Sequence, residues 1–524
     1  MPAHEAMLLQ EVSTDQTMLL VNFRTIWKAV FSYRQEGLET NPVPFPLKLV
    51  ETYMDATGQV TRLSTLQPTE SFSPFPQQEL RLQASTRQGH LISVVFKNSA
   101  TMKNLIRIIS ISCIFCINYA MAQNVEKKGT ITLGTRTIEY HEKTFRGTPV
   151  IPMWEAQMPI DDRANAAGLP LLAEARHYDV WQPFAVEDGA YNHYATLFFH
   201  DGRFHAMWAN HWYGEDGPGQ RILYSFSENA REWTKPMELF SPPDTIRPRG
   251  EEGLYLAPDR FVDIDGKLYA VVYNQRPDRF PIAREIAANG TLGEPFLVTY
   301  VPRRARLPKF MPRPRQHPEI ARKINNWYTT HDRVSWWARS SSAVGTRVPS
   351  RSIDEAVMIE SAAYRSPKGM VVLYRDWGPT NTDDTDYKRS NRVYVSFEDG
   401  KGGWSVPYPT NIPDANSRVC VMRIPDGRVL LVGNQIAPQF DSGLYMQRDP
   451  LTLAISPNGE VFTQVFALRS DDVPRRPRIA GITGRRVGGF GYPSMIVHED
   501  MIYILYSIHK EDIAITIVPL SAIK

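Results

Sequence analysis

The stretch HDGRFHAMWAN, residues His200 to Asn210, joins a glycine-containing turn to a strand-like run. A turn with glycine or a charge, followed by an alternating or apolar run, is typical of a hairpin. The same pattern recurs as DIDGKLYAVVYN from Asp263, SPKGMVVLYRDW from Ser366, IPDGRVLLVGNQ from Ile424 and HEDMIYILYSIHK from His498. The long interval between the second and third of these has room for one further unit. The recurrence predicts a fold built from repeated antiparallel β units.

A second element follows several of these strands. It consists of a strand, a polar turn and an aromatic residue at the next strand, as in YSFSENAREWTKPMEL from Tyr224, VYVSFEDGKGGWSVPYP from Val393 and LAISPNGEVFTQVFAL from Leu453. Units of about 55 to 60 residues with four short strands are propeller blades, and about 400 residues would hold about seven of them. Only one short helix is expected, around 319–326. We therefore predict an all-β, seven-bladed β-propeller over residues 123–524, with a pair of β-sandwiches as the alternative.

The segment MKNLIRIISISCIFCINYAMAQ, Met102 to Gln123, has the layout of a secretion signal. Lys103 and Arg107 precede a short apolar run, and Ala120-Met121-Ala122 supplies the small residues before the cleavage point. The run is too short to span a bilayer. A buried core element is the alternative. We predict a signal peptide at 102–122 and a secreted, periplasmic protein that has no membrane association after cleavage.

Residues 1–101 are polar, with scattered prolines and no sustained helical or strand period. Because a secretion signal normally begins a chain, we interpret this segment as a mis-assigned reading frame, or else as a disordered extension. It carries no candidate catalytic residue.

The composition excludes several functions. The chain has 59 basic and 56 acidic residues, so its net charge implies no polyanionic partner such as nucleic acid. Of three cysteines, only Cys420 follows the predicted signal, which excludes an internal disulfide in the mature chain. No zinc, P-loop or dinucleotide motif is present. We expect neither a metal nor a cofactor.

Two histidines lie at matching ends of one predicted hairpin. His193 precedes the strand YATLFF, and His211 follows RFHAMWAN. Since the start of one strand meets the end of the next at the same edge, we expect the two side chains to be neighbours. The loop GEDGPGQR lies beside them. A purely structural role for both histidines is the alternative.

Polar side chains also recur where other predicted strands begin or end. These candidate substrate-binding residues are Tyr255, Arg276, Arg375, Asn434, Arg448, Tyr492 and Lys510. Together they would ring one face of a propeller, where arginine can grip a carboxylate with two parallel hydrogen bonds. Such a ring suits a uronate, although solvated blade ends would give the same pattern.

Two chemistries fit a carboxylate-binding ring with histidine and tyrosine. One is β-elimination from a uronic acid by a histidine or tyrosine base. The other is glycoside hydrolysis, which normally uses two facing carboxylates. Glu360 is the best candidate acid, but the sequence offers it no partner. A sialidase is less favoured, because the sequence reveals no tyrosine–glutamate pair with an arginine triad.

From about Val186 onwards the chain resembles the sialidase-like bacterial propellers that act on plant and algal polysaccharides. The resemblance rests on residues 187–221, 434–456 and 492–513, and the polar turns resemble degenerate Asp-boxes. More specifically, the chain resembles family 145 of the glycoside hydrolases, seven-bladed α-L-rhamnosidases, and the related ulvan lyases. The resemblance implies a glycan partner with rhamnose linked α-1,4 to glucuronic acid, as at arabinogalactan side-chain ends.

The two related activities use different faces of the propeller. In ulvan lyases a histidine pair, a tyrosine and an arginine line one face, and His193, His211, Tyr255 and Arg276 are similar. In the rhamnosidases a single histidine near the mature N-terminus acts on the opposite face.

The matching region for that rhamnosidase histidine is TIEYHEKTFRGTPVIPMWEAQMPI. His141 is its only histidine, and Gln157 is the other possible match. Glutamine cannot act as an acid or base near neutral pH, so a match at Gln157 would imply a lost hydrolase. We predict rhamnosidase-type hydrolysis, with a uronate lyase or a catalytically silent glycan-binding propeller as alternatives.

Overall fold

The computed structural model divides into two compact units, Met1–Glu126 and Lys127–Lys524. The structure describes residues 49–54, 60–66, 80–85, 91–96, 128–141, 144–145, 147–160, 163–217, 219–241, 255–274, 280–299, 315–336, 344–378, 391–436, 448–471 and 488–523. The predicted signal peptide lies outside these described residues.

The first unit contains two β-hairpins. They are formed by β1 (Leu49–Met54) with β2 (Val60–Leu66), and by β3 (Leu80–Ser85) with β4 (Leu91–Phe96). Four strands thus occur in a segment whose sequence sustains no strand period. Strands of six or seven residues contain only three repeats of the two-residue period, which is too few to stand out among the prolines.

The second unit opens with two hairpins that precede the main sheets. The strands are β5 (Lys128–Leu133), β6 (Arg136–His141), β7 (Thr144–Phe145) and β8 (Thr148–Pro149), followed by the single strand β9 (Arg176–Trp181). Short 3₁₀ segments cover Arg163–Gly168, Val186–Asp188 and Leu520–Ala522.

Five sheets of four or five strands follow, and all their strand pairs are antiparallel except one in the second sheet. The first contains β10 (Tyr191–His200), β11 (Arg203–His211), β12 (Arg221–Ser227) and β13 (Met237–Phe240). The second contains β14 (Leu256–Ile264), β15 (Lys267–Asn274), β16 (Phe280–Ile286), β17 (Phe296–Leu297) and the parallel β18 (Arg315–Gln316). The third contains β19 (Met358–Ser366), β20 (Gly369–Asp376), β21 (Arg392–Phe397) and β22 (Tyr408–Pro413).

The last two sheets complete the set. The fourth contains β23 (Cys420–Arg423), β24 (Val429–Gly433), β25 (Leu451–Ser456) and β26 (Gln464–Arg469). The fifth contains β27 (Phe490–His498), β28 (Met501–Ile508), β29 (Asp512–Pro519) and, paired with β29, the N-terminal β9. Because β9 comes from the N-terminal part of the second unit and β29 from its C-terminus, this pairing joins the two ends of the propeller.

The sheets are the blades of a β-propeller whose inner strands are β10, β14, β19, β23 and β27. The inner strand of the first blade contacts those of the second and the fifth, and β23 contacts both β19 and β27. The core lies between adjacent blades, where Val371, Leu373 and Val395 of the third blade pack with Leu431 and Ala454 of the fourth. The all-β propeller prediction is confirmed.

The described residues form five blades rather than the predicted seven. The interval that had room for another blade instead contains α1 (Pro318–Thr330), whose Ala321, Ile324 and Tyr328 form a buried stripe. The segment before β9 adds no blade either. It runs along the outer strands, with Ile151 paired to Thr410 in the third blade. No helix within the described stretches is long and apolar enough to cross a membrane.

Candidate active site

Bulges in the inner strands direct polar side chains towards one another. The pairing register of β10, β19 and β27 slips near the strand starts, and the displaced residues Tyr194, Glu360 and Tyr492 have φ of 59°, 53° and 58°. Asn416, just before β23, has φ of 60°. A bulge twists the strand locally and re-aims the extra residue. Four blades thus present a left-handed residue at the same edge, on or just before the inner strand.

Around these positions lies a group of polar and aromatic residues, buried except for the exposed Glu215 and Asp216, which we call the axial cluster. Its members are His193, Tyr194, Glu215, Asp216, Trp336, Glu360, Arg375, Asp414, Asn416, Ser417, Arg418, Arg448, Tyr492 and Lys510.

The centre of the axial cluster is a tyrosine held between a carboxylate and a guanidinium. The Tyr492 hydroxyl donates to Oε1 of Glu360. Arg375 Nη1 donates to Oε2 of Glu360 at 2.8 Å and to the Tyr492 hydroxyl at 2.7 Å. Arg375 Nε lies 3.3 Å from Oδ1 of Asn416, which fixes the guanidinium plane. The three central side chains are buried.

The protonation states at this centre follow from burial and charge. Burial, aided by the negative Glu360, raises the pKa of Tyr492, so the phenol is neutral at rest. Burial disfavours the charged guanidinium, but Glu360 outweighs it and raises the pKa of Arg375. The centre therefore combines a neutral phenol, a carboxylate able to accept its proton, and a fixed positive charge.

The His193 ring packs against the ring of Tyr492. Its Nδ1 lies 2.5 Å from Ser507 Oγ, and Arg448 Nη1 lies 3.5 Å from its Nε2. Its ring centroid is 4.1 Å from that of Tyr492. Complete burial, followed by the charges of Lys510 and Arg448, lowers the pKa of His193 well below its ordinary value. The imidazole is therefore neutral near pH 7.

Two acidic residues face the centre from the loop between β11 and β12. Tyr194 donates to Glu215 Oε1 at 2.8 Å and lies 3.4 Å from Asp216 Oδ1, while Lys510 binds Glu215 Oε2. Burial opposes ionisation of Glu215, but Lys510 and Tyr194 outweigh it and lower its pKa. Burial of the Asp216 carboxyl, together with the charge of Glu215, raises the pKa of Asp216 to about 6. Asp216 keeps an exposed face, so it can meet a ligand.

The remaining side of the axial cluster comes from the segment before β23. The Arg418 guanidinium lies 4.2 Å above the Trp336 ring. Trp336 is 5.5 Å from Tyr194 and 6.2 Å from Tyr492, ring centroid to ring centroid. Burial raises the pKa of Asp414 to about 7, although Arg375 and Arg448 act in the opposite direction.

The structure brings together five residues that the sequence singled out from four different blades. They are His193, Arg375, Arg448, Tyr492 and Lys510. Glu360, for which the sequence offered no partner, has two. The expectation that no tyrosine–glutamate pair exists is wrong, because Tyr492 and Glu360 form one across the fifth and third blades.

Other predicted residues lie apart from this centre. His211 pairs in register with Tyr191, not with His193, and its Nδ1 accepts from the backbone of Gly214 at 3.2 Å. Asn434 is buried and donates to the carbonyls of Pro450 and Phe490. Tyr255 is buried just before β14. Arg276 lies outside the described residues.

The two rhamnosidase-type candidates lie on the N-terminal segment. His141 is the last residue of β6. The Gln157 amide donates to the carbonyl of Gly168 at 2.8 Å, and its side chain is exposed. No contact joins Gln157 to the axial cluster within the described residues, so its predicted role stays a prediction, as does that of His141.

Sequence reasoning missed Tyr194, Glu215, Asp216, Trp336 and the 414–418 segment. The charged loop GEDGPGQR was the one available signal for Glu215 and Asp216. A blade-by-blade comparison of strand starts could have identified Tyr194, because it lies near the start of its inner strand, as Glu360 and Tyr492 do. Among the described residues there is no group of three or more histidine, cysteine, aspartate or glutamate side chains that could hold a metal ion.

Comparison with known proteins agrees with this architecture. A family model described as a BNR repeat-like domain matches residues 310–504. A solved structure titled "Sialidase" superposes with a TM-score of 0.54 at 16% identity, over 70% of this chain and 35% of that chain. The chain folds as a sialidase-like propeller. This propeller spans about a third of the length of that protein.

A second solved structure is a mutant of Trypanosoma rangeli sialidase displaying trans-sialidase activity. It matches with a TM-score of 0.40 at 12% identity, over 67% of this chain and 59% of that chain. No curated protein matches the sequence. At 16% identity, the similarity to the first of these structures establishes the fold alone.

Proposed function

We propose that the axial cluster hydrolyses a glycosidic bond next to a carboxylate-bearing sugar, with Tyr492 as the nucleophile. The observation that carries this proposal is the Tyr492 hydroxyl, held between the Glu360 carboxylate and the Arg375 guanidinium. A neutral phenol is a weak nucleophile and needs an adjacent base. Glu360 is placed to take the proton as the phenol oxygen attacks the anomeric carbon. Arg375 stabilises the negative charge that develops on the phenol oxygen during this attack.

The choice of tyrosine fits an acidic substrate. Most retaining glycosidases attack with a carboxylate, whereas sialidases use a tyrosine. A negative nucleophile would repel a substrate carboxylate at close range, but a neutral phenol does not. Arg448, whose guanidinium lies 4.9 Å from the Tyr492 ring, supplies a positive charge for the substrate beside the nucleophile.

Asp216 is suited to act as the acid. A carboxyl group with a pKa of about 6 still holds its proton in mildly acidic solution. It would protonate the leaving oxygen in the first step and accept a proton from water in the second. Glu215 would stay ionised throughout, because Lys510 pairs with it.

The candidate substrates are acidic glycans. Rhamnose-α-1,4-glucuronate, as at arabinogalactan ends, stays our predicted natural linkage, since its glucuronate would supply the carboxylate. The fold similarity adds sialosides as a second class to assay. A lyase based on His193 is less favoured, because both ring nitrogens already have partners, Nδ1 at Ser507 and Nε2 at Arg448.

The test is hydrolysis by the full chain of three substrates, namely a fluorogenic sialoside, a fluorogenic glucuronide and a rhamnosyl-glucuronate oligosaccharide. We expect a free sugar from at least one of them, and loss of that product in Tyr492→Phe. If His141→Ala abolishes activity while Tyr492→Phe retains it, the N-terminal segment is the active site and the proposal is wrong. A conjugated unsaturated product would indicate a lyase, and saturable binding without any product would indicate a glycan-binding propeller.

We further propose that the protein is exported to the periplasm. The support is the signal pattern at 102–122. Mass spectrometry of the natural protein should give an N-terminus at Gln123, and peptides from before Met102 would contradict this.

A further inference from the structure

The segment just before β23 contains three consecutive residues with unsatisfied buried donors. Asn416 Nδ2, Ser417 Oγ and Arg418 Nη1 are inaccessible to water and have no hydrogen-bond partner among the described residues. A buried donor without an acceptor costs about 1–3 kcal/mol, and more when it is charged. Three in succession, beside a candidate active site, call for an acceptor that the described residues do not provide.

All three unsatisfied atoms can donate a hydrogen bond, and one of them carries a positive charge. The matching ligand is therefore an anion with several acceptor oxygens, such as a carboxylate or a sulfate. Asp414 does not fill this role in the structure: its Oδ2 accepts from the backbone of Ser417, and its Oδ1 has no hydrogen bond to any of the three donors or to another described residue. Burial lowers the pKa of Arg418 from its usual value, although Glu360 is among the charges that act in the opposite direction.

The same segment is joined to the nucleophile from two sides. Asn416 accepts from Arg375, which in turn contacts Tyr492. Arg418 lies on the face of Trp336, which is a neighbour of Tyr492. A guanidinium stacked on an aromatic ring is fixed in its plane, while its N–H edges stay free to donate.

We propose that Asn416, Ser417 and Arg418 form a second anion-binding subsite, so that the preferred ligand is a glycan with two anionic groups. One is the carboxylate near Arg448, and the other is a carboxylate or sulfate on the same or the adjoining sugar. This inference rests on the proposed function for the position of the first anion. It adds that the protein distinguishes glycans with two anionic groups from glycans that carry only the one sugar carboxylate.

The test measures binding by calorimetry in the Tyr492→Phe background of the full chain, where no turnover is expected. The probes are a glucuronide disaccharide, the same disaccharide with one sulfate, and the same disaccharide with a second uronate. We expect at least one doubly charged probe to bind about tenfold more tightly than the singly charged one. The tighter probe identifies the anion as sulfate or carboxylate.

In Arg418→Gln this preference should fall below about twofold, while affinity for the singly charged probe is retained. Arg418→Lys keeps the charge and should keep part of the preference, which separates lost binding from misfolding. Arg365→Gln removes a half-exposed arginine elsewhere and is the charge-matched control. An absent preference in the parent, or one unchanged by Arg418→Gln, overturns the subsite. Because no hydrolysis is measured, this outcome is independent of whether Tyr492 is a nucleophile.

Discussion

The Tyr492 hydroxyl donates to the Glu360 carboxylate although 132 positions separate the two residues. Each residue has a left-handed backbone at a bulge near the start of an inner strand, one in the fifth blade and one in the third. Non-glycine residues adopt this conformation at a cost of about 1–3 kcal/mol. The backbone is therefore locally strained at both residues of the pair, the candidate base Glu360 and the phenol Tyr492.

Replacing Tyr492 with phenylalanine tests this pair directly. The variant removes the attacking oxygen but keeps the ring that packs on His193, so hydrolysis should fall at least about a thousandfold with little change in fold. Initial rates and circular dichroism measure the two effects. Tyr269→Phe is the matched control, since Tyr269 also donates to a glutamate, Glu285, but in the second blade. Equal losses in both variants would contradict a special role for Tyr492.

Glu360→Gln should destabilise the fold as well as abolish activity. It leaves the buried Arg375 charge without its carboxylate, which typically costs about 3–5 kcal/mol. Asp332→Asn breaks the exposed Arg365–Asp332 pair and should cost at most about 1 kcal/mol. Urea denaturation of the two variants gives the comparison. Similar free-energy changes would mean that the Arg375–Glu360 pair is not a buried ion pair in solution.

The repeated turns in the sequence correspond to the architecture one for one. The turns at Gly202, Asp265, Lys368, Gly427 and Glu499 each join the first two strands of one blade. Dividing the chain length by a blade length gave seven because it also counted α1 and the N-terminal segment. The helix α1 packs against the inner strand β14, and the N-terminal segment pairs with outer strands, which no local pattern reveals.

The sequence predicted only those site residues that lie at the ends of apolar, strand-like runs. Arg375 and Lys510 directly end apolar runs, so the pattern located them. Of the two partners of Glu360, Arg375 lies in the same blade, but Tyr492 comes from the fifth, and a single sequence does not determine which blades face each other. His211 was misjudged because the pairing register places Tyr191 opposite it, whereas His193 lies opposite Ala209, two positions away. Bulges depend on backbone pairing and leave only a weak local signal.

Asp414 should make stability depend on pH. Its folded-state pKa of about 7 is above the unfolded value of about 3.9. Its contribution to the stability of the fold is therefore complete below about pH 3.9 and is lost as the pH rises through about 7. Asp414→Asn should therefore be more stable than the parent above pH 7, by at most about 4 kcal/mol. Denaturation at several pH values measures the difference. Asp399→Asn is the control with the opposite sign, because backbone hydrogen bonds lower the pKa of Asp399.

Asp216 should set the alkaline side of the activity profile. As the acid it must be protonated, so kcat/KM should be high below about pH 6 and fall tenfold per unit above it. Asp216→Asn should remove this decline along with most of the activity. A profile that rises through pH 6 would instead mean that Asp216 acts as a base in the first step.

Two neighbouring substitutions should move that decline in opposite directions. Lys510 lowers the pKa of Asp216 and Glu215 raises it. Lys510→Gln should therefore shift the decline to higher pH, and Glu215→Gln should shift it to lower pH, each by at least about half a unit. Profiles of kcat/KM against pH for the two variants supply the measurement, and a merely structural role for the loop would lower both curves without moving them. Shifts in the same direction would exclude Asp216 as the titrating group, because a positive and a negative neighbour cannot act alike on one carboxyl.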